Sequence, residues 1–225
     1  SSPTLNSPNS HRLLFASAQS PRRRCTVRVI PTVPERVLDA PGLIDDYYLN
    51  LLDWSALGDV AIALGGSVYL WNAPTGESHQ LMSLDGRQAY VASISFSGCG
   101  HYLAVGTHDN LVKIYDVQAT KLIRTLRGHT ARIGSLSWNE QILSSGSRDT
   151  TIMNHDVRMA SPVVSTFEGH CNEVCGLRWA PDGSQLASGS NDNLLNIWSL
   201  SYTRPIFTLA QHTAAVKAIS WCPWQ

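Results

Sequence analysis

His170, Cys171 and Cys175 are the tightest grouping of metal-competent side chains in this 225-residue sequence. One histidine and two cysteines could give zinc three ligands, but no fourth is evident nearby. They read instead as ordinary, largely buried side chains, and no metal is expected. There is no Gly-Xaa-Ser-Xaa-Gly elbow, phosphate-cradling loop, His-Glu-Xaa-Xaa-His or Cys-Xaa-Xaa-Cys. An enzyme would lack the constellation that carries a reaction, so neither catalysis nor a cofactor is expected. The pairs Gly128-His129, Gly169-His170 and Gln211-His212 recur at 41 and 42 residues. Recurrence at a fixed interval is a property of architecture, not of a single reacting centre.

A large aromatic recurs with the same period. Trp54, Phe96, Trp138, Trp179 and Trp221 stand 42, 42, 41 and 42 residues apart, each closing a short run of alternating apolar residues. A repeat of that length with strand patterning marks a β-propeller, in which each repeat supplies one four-stranded blade. Four strands are legible in each repeat. They fall at 48–55, 60–65, 67–72 and 78–84, then at 91–97, 102–107, 111–117 and 121–126. The third set is 133–139, 141–147, 151–157 and 163–167, and the fourth is 174–180, 185–190, 194–200 and 205–209. Residues 216–221 read as the first strand of a fifth blade. Gly, Asn and Asp separate the runs, as tight turns require. The second strands carry Ala-Val-Gly-Thr, Ser-Ser-Gly-Ser and Ala-Ser-Gly-Ser, small residues suited to crowding near a central channel. The expected fold is all-β, an incomplete propeller over 45–225 behind a flexible tail and proline-bearing strap at 1–44.

Seventeen basic and 17 acidic side chains cancel, so nothing global attracts nucleic acid or an anionic membrane. No apolar run approaches the roughly 18 residues of a membrane span. Five scattered cysteines, an odd number, argue against a disulfide framework and for a reducing setting in nucleus or cytoplasm. The tail carries Ser7-Pro8 and Ser20-Pro21, which have the form of proline-directed phosphorylation sites. A phosphate on Ser20 would offset the adjacent Arg22, Arg23 and Arg24, a triplet that reads as a targeting or docking patch or a solvated tail.

The Gly-His pairs, with third strands ending in Trp71-Asn72, Tyr115-Asp116, His155-Asp156 and Trp198-Ser199, resemble the WD-repeat family. The resemblance implies a buried hydrogen-bonded chain of His170, Asp192, Ser188 and Trp198 in blade four. In blade three it implies His129, Asp149 and Ser145, with His155 at the tryptophan position. These polar residues are expected to stiffen the blades, not to form a catalytic dyad. Longer strings are more specific. IPTVPERVLDAPGLIDDYYLNLLDWS, RIGSLSWNEQILSSGSRD and EVCGLRWAPDGSQLASGSNDNLLNIW resemble the Fizzy and Fizzy-related family, nearly continuously from 29 to 225.

Members of that family are non-catalytic coactivators and substrate receptors of the anaphase-promoting complex, a ubiquitin ligase, and their propellers have seven blades. The resemblance implies ligase subunits, degron-bearing substrates such as cyclins, and spindle-checkpoint proteins as partners. It matches Asp53, Asn191 and Asn193 to the pocket for a Lys-Glu-Asn degron. A carboxylate could receive the lysine and two amides could pair with Glu and Asn, although a turn alone would also favour Asn there. Asp46 matches the acidic partner of the destruction-box arginine, and a third motif is implied between blades two and three. The segment 11–21 matches a partner-docking motif loosely. The family's N-terminal docking box and C-terminal Ile-Arg tail are not found in these residues, so a partial chain is expected, with an aggregation-prone edge at 216–221. The alternative function is a general WD-repeat scaffold or a truncated paralogue without ligase activation. A propeller hydrolase would need a nucleophile cluster that the sequence lacks.

Overall fold

The computed structural model describes residues 30–222. The sites at Ser7, Ser20 and Cys25, the basic triplet at 22–24 and the segment 11–21 lie outside the described residues. The chain divides into two compact units, 1–39 and 40–225. In the first, residues 30–39 carry bends but no strand, and Val33 and Val37 are exposed.

The second unit contains sixteen strands and no helix among the described residues. Blade one is β1 (Leu52–Trp54), β2 (Asp59–Leu64), β3 (Ser67–Asn72) and β4 (Ser78–Ser83). Blade two is β5 (Val91–Phe96), β6 (Tyr102–Thr107), β7 (Val112–Asp116) and β8 (Lys121–Leu126). Blade three is β9 (Ile133–Asn139), β10 (Ile142–Ser147), β11 (Ile152–Asp156) and β12 (Val163–Phe167). Blade four is β13 (Val174–Trp179), β14 (Leu186–Ser190), β15 (Leu195–Trp198) and β16 (Phe207–Leu209). Every sheet is an antiparallel meander in sequence order. Short loops between successive strands make that the natural pairing.

Consecutive blades pack through their first strands and share their apolar cores. One cluster joins Val68 and Leu70 of blade one to Val91, Ile94 and Leu103 of blade two. The glycine in the second strand of blades two, three and four has a specific reason. A Cβ on Gly106 would collide with Ser93 Oγ and the Ile133 carbonyl, one on Gly146 with Ser135 and Val174, and one on Gly189 with the Val216 carbonyl. Gly106 and Gly189 therefore admit the backbone of the next repeat, and Gly146 admits the Val174 side chain. Hydroxyls tie two of the seams. Ser93 Oγ donates to the Ile133 carbonyl at 2.6 Å, and Ser135 Oγ to that of Val174 at 3.1 Å.

The two ends of the repeat array depart from regular pairing. Residues 48–50, expected to extend β1, cross the other blades instead. Asn50 makes an isolated parallel bridge to Ser93, and its Nδ2 donates to the carbonyls of Gly134 at 2.7 Å and Cys175 at 3.1 Å. Residues 216–221 follow the flank of blade four without ladder pairing. Val216 N donates to the Ser190 carbonyl at 3.0 Å, and Trp221 Nε1 to that of Arg178 at 2.8 Å. A sheet of their own would need a second strand, and there is none after them among the described residues.

Blade four contains a continuous donor chain. Trp198 Nε1 donates to Ser188 Oγ at 2.7 Å, Ser188 Oγ to His170 Nε2 at 2.7 Å, and His170 Nδ1 to Asp192 at 2.9 Å. That order requires a neutral imidazole, and burial pushes the His170 pKa down accordingly. Phe167 stacks on Trp198 with ring centroids 4.9 Å apart. Blade three repeats the arrangement with His129, Asp149 and Ser145. Burial opposes Asp149 ionisation, but bonds from His129, Thr151 and the Thr130 N–H hold its pKa below the ordinary range. His155 stands where Trp198 stands, and neither of its buried nitrogens has a partner among the described residues.

Burial, with the charge of His129 adding, pulls the His155 pKa from 6.5 to about 4. A proton then binds the unfolded chain better than the folded one. The stabilising contribution of neutral His155 is complete above the unfolded value and is lost as pH falls toward 4. Urea titrations should therefore show stability level above about pH 6.5, with His155 contributing a fall of about 3 kcal/mol by pH 4. His155→Trp should remove that contribution and supply a donor for Ser145.

Candidate functional site

Strands β5, β9 and β13 all begin at one end of the blades, here called the upper rim. Residues 46–50 cross the same end. Arg132, just before β9, donates Nε and Nη2 to both carboxylate oxygens of Glu173, just before β13, at 2.8 and 2.9 Å. Its Nη1 lies 3.3 Å from Asp46 Oδ2, and its guanidinium sits 5.7 Å from the centre of the Tyr48 ring. Hydrogen bonding to Glu173, reinforced by Tyr90, raises the Arg132 pKa against the cost of burial. Asp46 Oδ1 accepts the Tyr48 N–H at 2.9 Å. Tyr48 donates its hydroxyl to Asn191 Oδ1 at 2.9 Å, and Asn191 N donates to the Glu173 carbonyl. The result is one connected polar surface: a half-buried carboxylate, a clamped guanidinium, a phenol and an amide.

Asn193 lies two residues further along the β14–β15 turn at φ 68°. Asn110 and Thr150 occupy the matching turn position in blades two and three, also with positive φ. The left-handed turn accounts for Asn193, because asparagine tolerates that region best after glycine.

Asp53 is elsewhere. It lies beside Phe96, at the finishing end of the first strands, where its Oδ2 accepts the Phe96 N–H at 2.6 Å. Asn191 adjoins Ser190, which pairs with Val174 at the start of β13, whereas Asp53 and Arg178 border one lower cavity. Four residue steps separate Val174 from Arg178, about 13 Å of extended chain. The expectation that Asp53 shares a pocket with Asn191 and Asn193 is therefore corrected. Asp53 immediately precedes the aromatic that closes its strand, so it lies at the opposite rim. The carboxylate brought to Asn191 is Asp46. The lower cavity, about 510 Å³, is lined by Asp53, Trp54, Trp138, Glu140, Arg178 and Asp182 among others.

Tyr48, Arg132 and Glu173 were not among the expected site residues, yet the period marks them. Tyr48, Tyr90, Arg132, Glu173 and Ala215 each stand six residues before the repeating aromatic. One position of the repeat thus builds the upper rim, and opposite charges fall on neighbouring blades.

Ser188, His170 and Asp192 have the connectivity of a hydrolase triad. Ser188 is fully buried and accepts Trp198 Nε1, so this hydroxyl is closed off from solvent. His170 has both ring nitrogens engaged and Cys175 is buried while Cys171 is exposed. Those three residues do not converge on an ion.

Sheets joined through their first strands, with a Trp–Ser–His–Asp chain in the blade, define the WD-repeat β-propeller class. The chain belongs to the CDC20/Fizzy family, matching its WD40 domain over residues 38–225. It is 50% identical to the anaphase-promoting complex subunit cdc20 of Dictyostelium discoideum over 98% of this chain and 46% of that protein. It is 56% identical to the WD repeat-containing protein slp1 of Schizosaccharomyces pombe over 86% of this chain and 40% of that protein. A chain in the crystal structure of the Mitotic Checkpoint Complex superimposes with a TM-score of 0.84 at 53% identity, covering 88% of this chain and 65% of that one. The chain thus spans less than half the length of these two relatives.

Burial raises the Asp53 pKa, partly offset by the Phe96 and Trp54 N–H groups and the charge of Arg178. A carboxyl with a raised folded pKa stabilises the fold while protonated. That contribution is present below the ordinary carboxylate range and is lost as pH rises through the folded value. Asp53→Asn keeps an acceptor for Phe96 without the charge. It should melt higher than the parent chain at pH 7, and the two should converge near pH 3, as read by calorimetry.

Proposed function

We propose that this chain is the degron-reading part of a coactivator of the anaphase-promoting complex, a non-catalytic adaptor acting in nucleus and cytoplasm. Its relatives named as subunits or cofactors of that complex support the reading, as does membership of the family. The proposed partners are ligase subunits, degron-bearing substrates such as cyclins, and checkpoint proteins. Its contribution is proximity: it holds a substrate where a ligase can modify it.

The observation that carries the reading is the joining of Asp46 to Asn191 through Tyr48 and Arg132. An extended Lys-Glu-Asn peptide needs a carboxylate for its ammonium and an amide donor for the glutamate beside it. Asp46 and Asn191 supply them on one rim, and Asn193 shares the turn. A second reading has an observation of its own: Arg132 already presents a guanidinium nitrogen to Asp46, so this carboxylate also suits a destruction-box arginine.

Fluorescence anisotropy with a labelled Lys-Glu-Asn peptide tests the assignment. Asp46→Asn should weaken binding at least tenfold, roughly 1.4 kcal/mol, while Asp53→Asn at the lower rim should leave it unchanged. Loss on Asp53→Asn with Asp46→Asn unaffected would overturn it. A destruction-box peptide run in parallel separates the two readings.

A further inference from the structure

Asparagine carries a donor and an acceptor on one planar group, so its meaning to a ligand depends on which end faces out. At Asn191 a residue 143 positions away bears on the choice: the structure places Oδ1 against Tyr48, whose hydroxyl donates to it at 2.9 Å. The backbone N–H of Asn191 is also occupied, at the Glu173 carbonyl. Nδ2 has no hydrogen-bond partner among the described residues, and the residue is only half-buried. The amide therefore offers its nitrogen outward.

Tyr48 is itself held in place. Its ring carries the Arg132 guanidinium at 5.7 Å, and Arg132 is clamped by both oxygens of Glu173. Its own N–H is fixed on Asp46 Oδ1. The phenol cannot swing away without breaking these contacts.

We propose that Tyr48 is a specificity-determining positioning residue, which locks Asn191 as a hydrogen-bond donor beside the cation-accepting Asp46. The rim then reads polarity in order: a cationic side chain at Asp46, then an acceptor at Asn191. A carboxylate satisfies the second position best, because a bond to an ionised acceptor is the stronger kind. A donor-only side chain is refused there, since two donors face each other. This rests on the peptide-binding reading given above and adds the rule by which neighbouring peptide positions are told apart.

The test uses the 225-residue chain and its Tyr48→Phe variant, which keeps the ring beneath Arg132 and removes only the hydroxyl. Each is titrated with a Lys-Glu-Asn peptide and with a Lys-Lys-Asn peptide, whose second side chain can only donate. The parent chain should prefer the first by about a hundredfold. Tyr48→Phe should cut that preference to about tenfold, partly by binding Lys-Lys-Asn more tightly than the parent does. A merely structural role produces no such gain. Equal weakening of both peptides, or no change in either, overturns the proposal. A peptide-free arm keeps it separate from the functional reading. Nuclear Overhauser contacts between the Asn191 side-chain amide protons and the Tyr48 ring should be weak in the parent chain. Strong contacts would place the nitrogen against the phenol and sink the inference whether or not any peptide binds. Failure of both peptides to bind, with weak contacts, would overturn the peptide-binding reading and the discrimination rule resting on it, leaving only the amide orientation.

Discussion

The close approach of each blade to the backbone of the next is the constraint on which the molecule depends. Gly106, Gly146 and Gly189 leave no room for a Cβ, because a backbone carbonyl of the following repeat (Ile133, Val216) or the Val174 side chain lies directly against them. A side chain there would push neighbouring sheets apart, and the shared apolar clusters would lose contact. Native interiors are packed too densely to absorb such a shift. The same approach aligns the first strands so that all begin at one rim. Side chains far apart in sequence then meet at fixed spacing.

The rim chemistry is a product of that alignment. One repeat position contributes Tyr48, Tyr90, Arg132 and Glu173 to adjacent blades. A guanidinium beside a buried carboxylate and two phenols is held by charge, hydrogen bonds and ring stacking together. Burying Arg132 or Glu173 alone would be costly, and burying them as a bidentate pair removes most of that cost. The network fixes the rim before any ligand arrives, which is the condition for selective binding at low entropic cost.

Much of this was legible in the sequence because the 42-residue period and the alternation inside it are direct consequences of the blade. Fifteen of the sixteen strands lie where alternating runs occur, with ends shifted by a residue or two. The exception is β1, where 48–50 cross the blades, with one parallel bridge, instead of extending the β1–β2 ladder: alternation cannot distinguish a strand that continues its ladder from one that crosses. The Trp–Ser–His–Asp chain was also readable, as was the tryptophan position taken by His155. Asp53 was misplaced because resemblance supplied a residue type without a rim, although its position beside Trp54 carried that information. The Tyr48–Asn191 contact was beyond reach, because it joins a chain crossing to a turn of another blade. No spacing rule links the two.

Asn50 has a temporal consequence. Its amide completes its bonds only with Gly134 and Cys175, which lie 84 and 125 residues downstream. During synthesis the chain emerges from its N-terminal end, and neighbouring blades can dock one after another as they appear. The Asn50 side-chain amide must meanwhile stay solvated, although its backbone can already pair with β5 of blade two. The earliest part of the propeller to leave the ribosome is thus among the last to be finished, a clasp that fastens only once blade four has been made.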